Sequence, residues 1–144
     1  MGGNWIGHPP VAVAEARMDV HRAQERRVVS ETGGAKGQKL AAYHLIPQDV
    51  LWRLAEHYGR GARKYDERNW ERGYPWSSSA AALQRHFASF WNGDDIDHDP
   101  SLYVEGEEHT SRHIDAVVWH AVCLSAFDLR HIGTDDRPKI WSPE

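Results

Sequence analysis

Apolar residues recur at helical spacing through the middle and later parts of this chain. Val50, Leu51, Leu54, Ala55, Tyr58 and Ala62 mark one face of a helix over 47–65, with Pro47 fitting its first turn. Leu83, Phe87, Phe90 and Trp91 mark a second helix. Ser77 is a good N-cap for it, Trp76 a hydrophobic staple before the cap, and Asn92-Gly93 a plausible stop. Ile114, Val117, Val118, Ala121, Leu124 and Phe127 predict a third helix from about Glu108 to Arg130. A weaker helical pattern runs around Val13 to Val29, ahead of a Gly-rich loop at Ser30 to Gly37. Strand signals are almost absent, so the expected fold is all-α, a helical bundle with an irregular N-terminal segment and loops. The expected organisation is an N-terminal extension over 1–29, a helical domain over 30–131 and a C-terminal tail over 132–144.

Two glycines interrupt the first helix. Gly59 and Gly61 each cost about 1 kcal/mol against Ala in a helix interior, which makes sense if a neighbouring helix or a ligand approaches the backbone there.

A chain of 144 residues suits one domain with a real core. Cys123 is its single cysteine, which excludes a disulfide framework and favours a reducing compartment. No apolar run approaches the roughly 20 residues of a membrane span, and the N-terminus lacks the apolar stretch of a signal peptide. A cytoplasmic location is expected, with no membrane partner. The net charge of −4 argues against a stable nucleic-acid partner. Its distribution says more. Seven acidic residues and no Lys or Arg lie between Asn92 and Ser111, whereas five basic residues stand against three acidic ones from Arg60 to Arg72.

Asp94, Asp95 and Asp97 follow a helix C-terminus, where negative charge opposes the helix dipole and a divalent cation would relieve it. Mg2+ prefers such oxygens and binds substrate phosphates as well. A solvated Asp-rich turn would read the same way. Glu56 on the first helix is a candidate metal ligand or an exposed helix carboxylate. His109, His113 and His120 fall on one edge of the third helix, and His86 stands near the packing seam of the second. His86 and His113 are the candidates for chemistry, and His120 reads as a buried histidine bonded to a neighbour. Asp115 is about 200° around the helix from His113, a supporting or surface group. Arg60, Arg63, Lys64, Arg68 and Arg72 offer phosphate contacts or a solvated face. In the loop from Asn69 to Trp76, Trp70 reads as core, while Tyr74 and Trp76 are open to base stacking. The loop Gly33 to Gly37 has no P-loop spacing and no expected strand before it.

These residues together resemble a known family. Ser30-Glu31-Thr32-Gly33-Gly34 with Lys36-Gly37, Leu54-Ala55-Glu56-His57-Tyr58, Arg68-Asn69-Trp70-Glu71-x-Gly73, Arg85-His86 and Gly93-x-Asp95-x-Asp97 occur in the order found in the dATP/dGTP diphosphohydrolase N-terminal-domain family. That family is common in bacteriophages and related to the MazG-like all-α NTP pyrophosphohydrolases. The resemblance covers about residues 30–130. It implies a MazG-like helical bundle, a homo-oligomer (dimer or higher), and cleavage of a purine dNTP to dNMP and pyrophosphate with Mg2+ or Mn2+. A phage-encoded chain would work in the host cytoplasm. On this reading Glu56, Asp94, Asp95 and Asp97 hold the metal, and His86 and His113 orient water or ligand. Lys36, Lys64, Arg68 and Arg85 bind the triphosphate, and Trp70 and Trp76 shape the base pocket. The segment Asp99 to Glu108 is longer than the resemblance implies, and the paired Glu motifs of MazG-like enzymes are absent in plain form.

Two alternatives stay open. One is an HD-type triphosphohydrolase releasing whole triphosphate. The other is a non-enzymatic module binding nucleotides or single-stranded nucleic acid, whose binding would persist in EDTA.

Overall fold

The computed structural model describes residues 26–38, 40–103, 105–106 and 111–140. The chain divides into two compact units, residues 1–46 and 47–144. In the first, strand β1 (Arg26–Val29) pairs antiparallel with β2 (Ala35–Gln38), Val29 facing Ala35 across the ladder. The turn is closed by the Ser30 N–H donating to the Gly34 carbonyl at 2.9 Å, and Gly33 takes φ +83°, a conformation only glycine adopts freely. The helical pattern expected up to Val29 is therefore corrected over its last four residues. Arg-Arg-Val-Val before a Gly turn satisfies its backbone in a ladder, whereas a helix there would have to stop at once. Residues 13–25 of that pattern lie outside the described residues. The expectation of no strand before the Gly-rich loop also fails, yet an antiparallel hairpin lacks the following helix that makes a phosphate cradle.

Among the described residues the second unit holds three α-helices, α1 (Gln48–Tyr65), α2 (Trp76–Trp91) and α3 (His113–Arg130), so the fold is all-α apart from the small hairpin. Helices α2 and α3 form the main pair, and α1 lies against α3. Phe127 and Cys123 are fully buried and Trp76 nearly so, with Trp70, Tyr74, Trp119, Leu124 and Ile132 packed around them.

The inward faces are rotated from those the apolar residues predict. On α3 the buried positions are Asp115, Ala116, Cys123 and Phe127, while Ala121 is exposed. On α2 the inward line is Ser79, Leu83, His86 and Phe90, and Phe87 and Trp91 stack on each other in solvent with ring centroids 5.8 Å apart. Polar Ser79 and His86 can face inward because partners await them: Ser79 Oγ lies 2.8 Å from Tyr74 Oη and 3.2 Å from His120 Nδ1.

Two boundaries also move. Helix α2 begins at Trp76, and Ser77 is not its cap; the Ser77 backbone N–H and hydroxyl both donate to the Asp136 carboxylate from the C-terminal segment. Helix α3 begins at His113 rather than near Glu108, because residues 111–113 pair with 95–97. The Asp97 N–H donates to the Ser111 carbonyl and the His113 N–H to the Asp95 carbonyl, each at 3.0 Å. That short ladder positions the site.

Candidate metal centre

Helix α2 carries His86 and helix α3 carries His113 and His120, all on the faces that meet. The 95–97/111–113 ladder then delivers Asp97 to the same seam, 9% exposed. Its Oδ1 accepts the Asp99 N–H at 3.2 Å, which leaves Oδ2 turned to His86 Nδ1 at 4.0 Å. His86 Nδ1 and His113 Nδ1 are 2.8 Å apart, so one ring donates and the other accepts. The ligand atoms of His86, Asp97 and His113 all lie within 4.8 Å of one another, and among the described residues this is the one such group able to hold a metal ion. Two imidazole nitrogens and one carboxylate oxygen form a donor set suited to Mn2+, Co2+, Zn2+ or Fe2+, whereas Mg2+ favours oxygen alone.

Burial disfavours the charged form of His86 and of the adjoining His120. Burial pushes the His86 pKa down, with Asp97 opposing and His113 reinforcing the shift. Burial pushes His120 down to about 4, and repulsion from a charged His86, its ring centroid 5.9 Å away, acts in the same sense. His120 is thus the hydrogen-bonded interior histidine expected of it. Neutral imidazole is the form that binds a metal.

Helix α1 closes the third side with residues the sequence pattern did not single out as functional. Arg53 forms a two-pronged ion pair with the nearly buried Asp115, at 2.7 and 3.3 Å. His57, one turn on, has a pKa lowered mainly by burial, and the charges of Asp115 and Asp97 act on it in the opposite sense. Its Nδ1 is buried without a hydrogen-bond partner among the described residues. The recoverable signal was the Arg53/His57 spacing, which places both on one helix face.

The remaining candidates distribute differently. Asp94 is exposed, but its Oδ2 stands 3.6 Å from His113 Nε2, an ion-pair distance. Asp95 pairs with Arg112 at 3.1 Å. Glu56 is exposed and accepts a hydrogen bond from Trp52 Nε1 at 3.2 Å. The expected four-carboxylate cage is thus corrected: Glu56 shares a face with Trp52, while Arg53 and His57 turn to α3. Lys64 is bound to Asp99 at 3.1 Å, and hydrogen bonds from Ser101 and Lys64 hold the Asp99 pKa at about 2. Arg85 is exposed on α2 beside His86, and Arg68 is exposed 3.7 Å from Glu71. Lys36 is exposed on β2 in the other unit. Trp70 packs near Phe127 and Tyr58 and borders a cavity. Trp76 is a core residue, its Nε1 donating to the Ile132 carbonyl at 3.0 Å, and it borders a different cavity from the one that Trp70 lines. His109 lies outside the described residues. The dipeptide His98-Asp99 has the adjacency of an HD-type site, but Asp99 is committed to Ser101 and Lys64 and stands outside the metal group.

The sequence profile described as dATP/dGTP diphosphohydrolase, N-terminal, matches residues 30–137. The chain belongs to this family. The matched span of the dATP/dGTP diphosphohydrolase family takes in all three helices and every member of the His86–Asp97–His113 group. No curated protein and no solved structure matches the chain. No helix among the described residues is long and apolar enough to cross a membrane.

Proposed function

We propose that this protein hydrolyses a purine deoxynucleoside triphosphate between its α- and β-phosphates, giving the monophosphate and pyrophosphate, with a divalent cation bound by His86, Asp97 and His113. The family supports the reaction, and the one observation that carries the site is the convergence of those three side chains from α2, α3 and the loop between them. When bound, the cation supplies Lewis-acid polarisation of phosphate and a lowered pKa for water.

The chain's own residues do the rest. Asp97 is aimed by the Asp99 N–H. Asp94, beside His113 Nε2, favours the proton on that nitrogen and leaves Nδ1 to ligate, the usual arrangement in which a carboxylate orients a ligating histidine. The Arg53–Asp115 pair locks α1 against α3 and keeps His57 at the edge of the site. Arg85 stands exposed on α2 beside His86 and suits phosphate oxygens. A second copy of the chain completes the assembly: α1 buries no residue, and its Val50, Leu51 and Trp52 are 44%, 38% and 70% exposed.

The test is incubation with each of the four dNTPs in Mn2+, Co2+ and Mg2+, with the products resolved. Pyrophosphate and dNMP from purine substrates are expected, Mn2+ or Co2+ exceeding Mg2+. No release above an Asp97→Asn control with any nucleotide or metal sinks the proposal. Intact triphosphate as product would replace it with the triphosphohydrolase reading.

A further inference from the structure

A cavity of about 580 Å³ opens between the C-terminal half of α1 and the segment that follows it. We infer that this cavity seats the nucleobase, taking a purine ring among Tyr58, Trp70 and Trp119 with the Asn69 amide reading the ring edge. The inference rests on the diphosphohydrolase reading for what happens to the phosphates, but not for the fit of the ring.

Three features of the cavity support it. The walls are aromatic: Tyr58 meets Trp119 at 6.0 Å and Trp70 at 6.3 Å between centroids, both edge-on, and such surfaces stack bases of any sequence. The helix wall is opened by Gly59 and Gly61, where a Cβ would meet nothing within 4 Å, so no helix among the described residues accounts for those glycines and a flat ligand does. The rim is strained, with Asp66 at φ 69° and Arg68 at φ 58°, both unusual for residues other than glycine. Strain of this kind gathers at ligand clamps, and here it sets the start of the turn at Asn69.

Charge decides which end of a nucleotide enters. Asp66 and Glu67 line the cavity, and the one cation there among the described residues, Arg68, already faces Glu71. A triphosphate is repelled from such a lining, whereas ring N–H donors are welcome. An Asn amide donates and accepts side by side and so matches the N7 and N6–H pair of adenine. Two rings, Trp119 and His120, link the cavity to the metal centre. Trp119 meets the His120 ring edge-on at 4.7 Å, and His120 stacks on His86. A base against Trp119 leaves its sugar and first phosphate on the histidine side.

The experiment uses nucleosides, which carry no phosphate, in EDTA, with tryptophan fluorescence as the readout. Deoxyadenosine and deoxyguanosine should bind and thymidine and deoxycytidine should bind more weakly. A Cβ at Gly61 would meet nothing within 4 Å among the described residues, and leucine suits a helix better than glycine, so Gly61→Leu should fold and lose purine affinity by at least about tenfold. Asn69→Ala should weaken purine binding while leaving Co2+ binding at the histidines intact. Unchanged purine affinity in Gly61→Leu overturns the assignment, as does equal affinity for pyrimidines. A changed sedimentation coefficient in place of a changed affinity also overturns it, since a second copy would then be the occupant. The two readings separate cleanly. Nucleoside binding without pyrophosphate release from any dNTP removes the hydrolase and keeps the subsite, and pyrophosphate release indifferent to Gly61→Leu does the reverse.

Discussion

His86 and His113 meet nitrogen to nitrogen, Nδ1 to Nδ1 at 2.8 Å, across the seam between α2 and α3. Two neutral imidazoles at that distance share a proton, or both turn their lone pairs on a cation, and Asp97 supplies the anionic third donor. Removing any one of the three should therefore lower affinity for Mn2+ or Co2+ by at least about 100-fold, more than loss of an outer partner costs a metal site. Titration calorimetry on His113→Ala and Asp97→Asn measures this. Glu56→Gln serves as the control and should bind as the parent does, because Glu56 is engaged with Trp52. In the parent, metal at 100 times Kd should add about 2.7 kcal/mol to unfolding free energy, and neither variant should show that gain. Equal metal affinity in the parent and in Asp97→Asn would remove the site.

Asp94 provides a finer test. It stands at ion-pair distance from His113 Nε2 and is itself half exposed, so it acts on the metal only through the ring it orients. Asp94→Asn should weaken metal binding by about 10–100-fold, as loss of a carboxylate behind a ligating histidine does. Asp95→Asn, whose partner is Arg112, should not. If Asp95→Asn proves the more damaging, Asp95 and not Asp94 is the residue at the metal.

The three helices of the second unit were legible because each carries apolar residues at helical spacing over two turns or more. Their inward faces were not. Ser79, His86 and Asp115 point inside, and a reading that weights apolar residues turns each helix away from them. The hairpin was hidden because Arg26–Val29, read Arg-Arg-Val-Val, does not alternate apolar with polar residues. Asp97, His86 and His113 could be named from residue type, but their meeting could not. It depends on the ladder between 95–97 and 111–113, a pairing made by backbone groups that leave no trace in side-chain pattern. Glu56 failed for a related reason. Its neighbours at 53 and 57 face α3, and the phase of α1 follows from packing that no single helix reveals.

Acid should loosen this fold. Burial lowers the pKa of His120 to about 4 and also lowers those of His57 and His86. Between the unfolded value near 6.5 and the folded value of His120 the unfolded chain binds more protons, so stability falls as pH falls through that window and is fully present above it. The loss attributable to His120 should be about 1–2 kcal/mol once its partial exposure is discounted. Thermal melts in EDTA from pH 7.5 to 4.5 should show a falling Tm, and His120→Asn should flatten the slope. A Tm that rises toward pH 5 would contradict this account.

Gly73 and Gly133 pack back to back where the C-terminal segment docks on the entrance to α2. Both take positive φ, 77° and 74°, and a Cβ on Gly73 would press the Gly133 nitrogen and reach within 2.7 Å of its Cα. Neither obstacle is a flexible side chain, so the backbone would have to move. The contact also holds the hydrogen bonds of Tyr74 and Trp76 to Thr134 and the Asp136 carboxylate on Ser77. Gly73→Ala should accordingly cost about 2–4 kcal/mol, combining positive-φ strain with a steric clash. Gly93 provides the separation of those two effects. Its φ is 86° and a Cβ there would meet nothing within 4 Å, so Gly93→Ala should cost only about 1–2 kcal/mol. Denaturant unfolding of the two variants side by side reads the difference. Metal affinity at low temperature should survive Gly73→Ala, because His86 is some three turns along α2 from this contact. Equal losses in Gly73→Ala and Gly93→Ala would mean that the docked segment yields freely and contributes little to the fold.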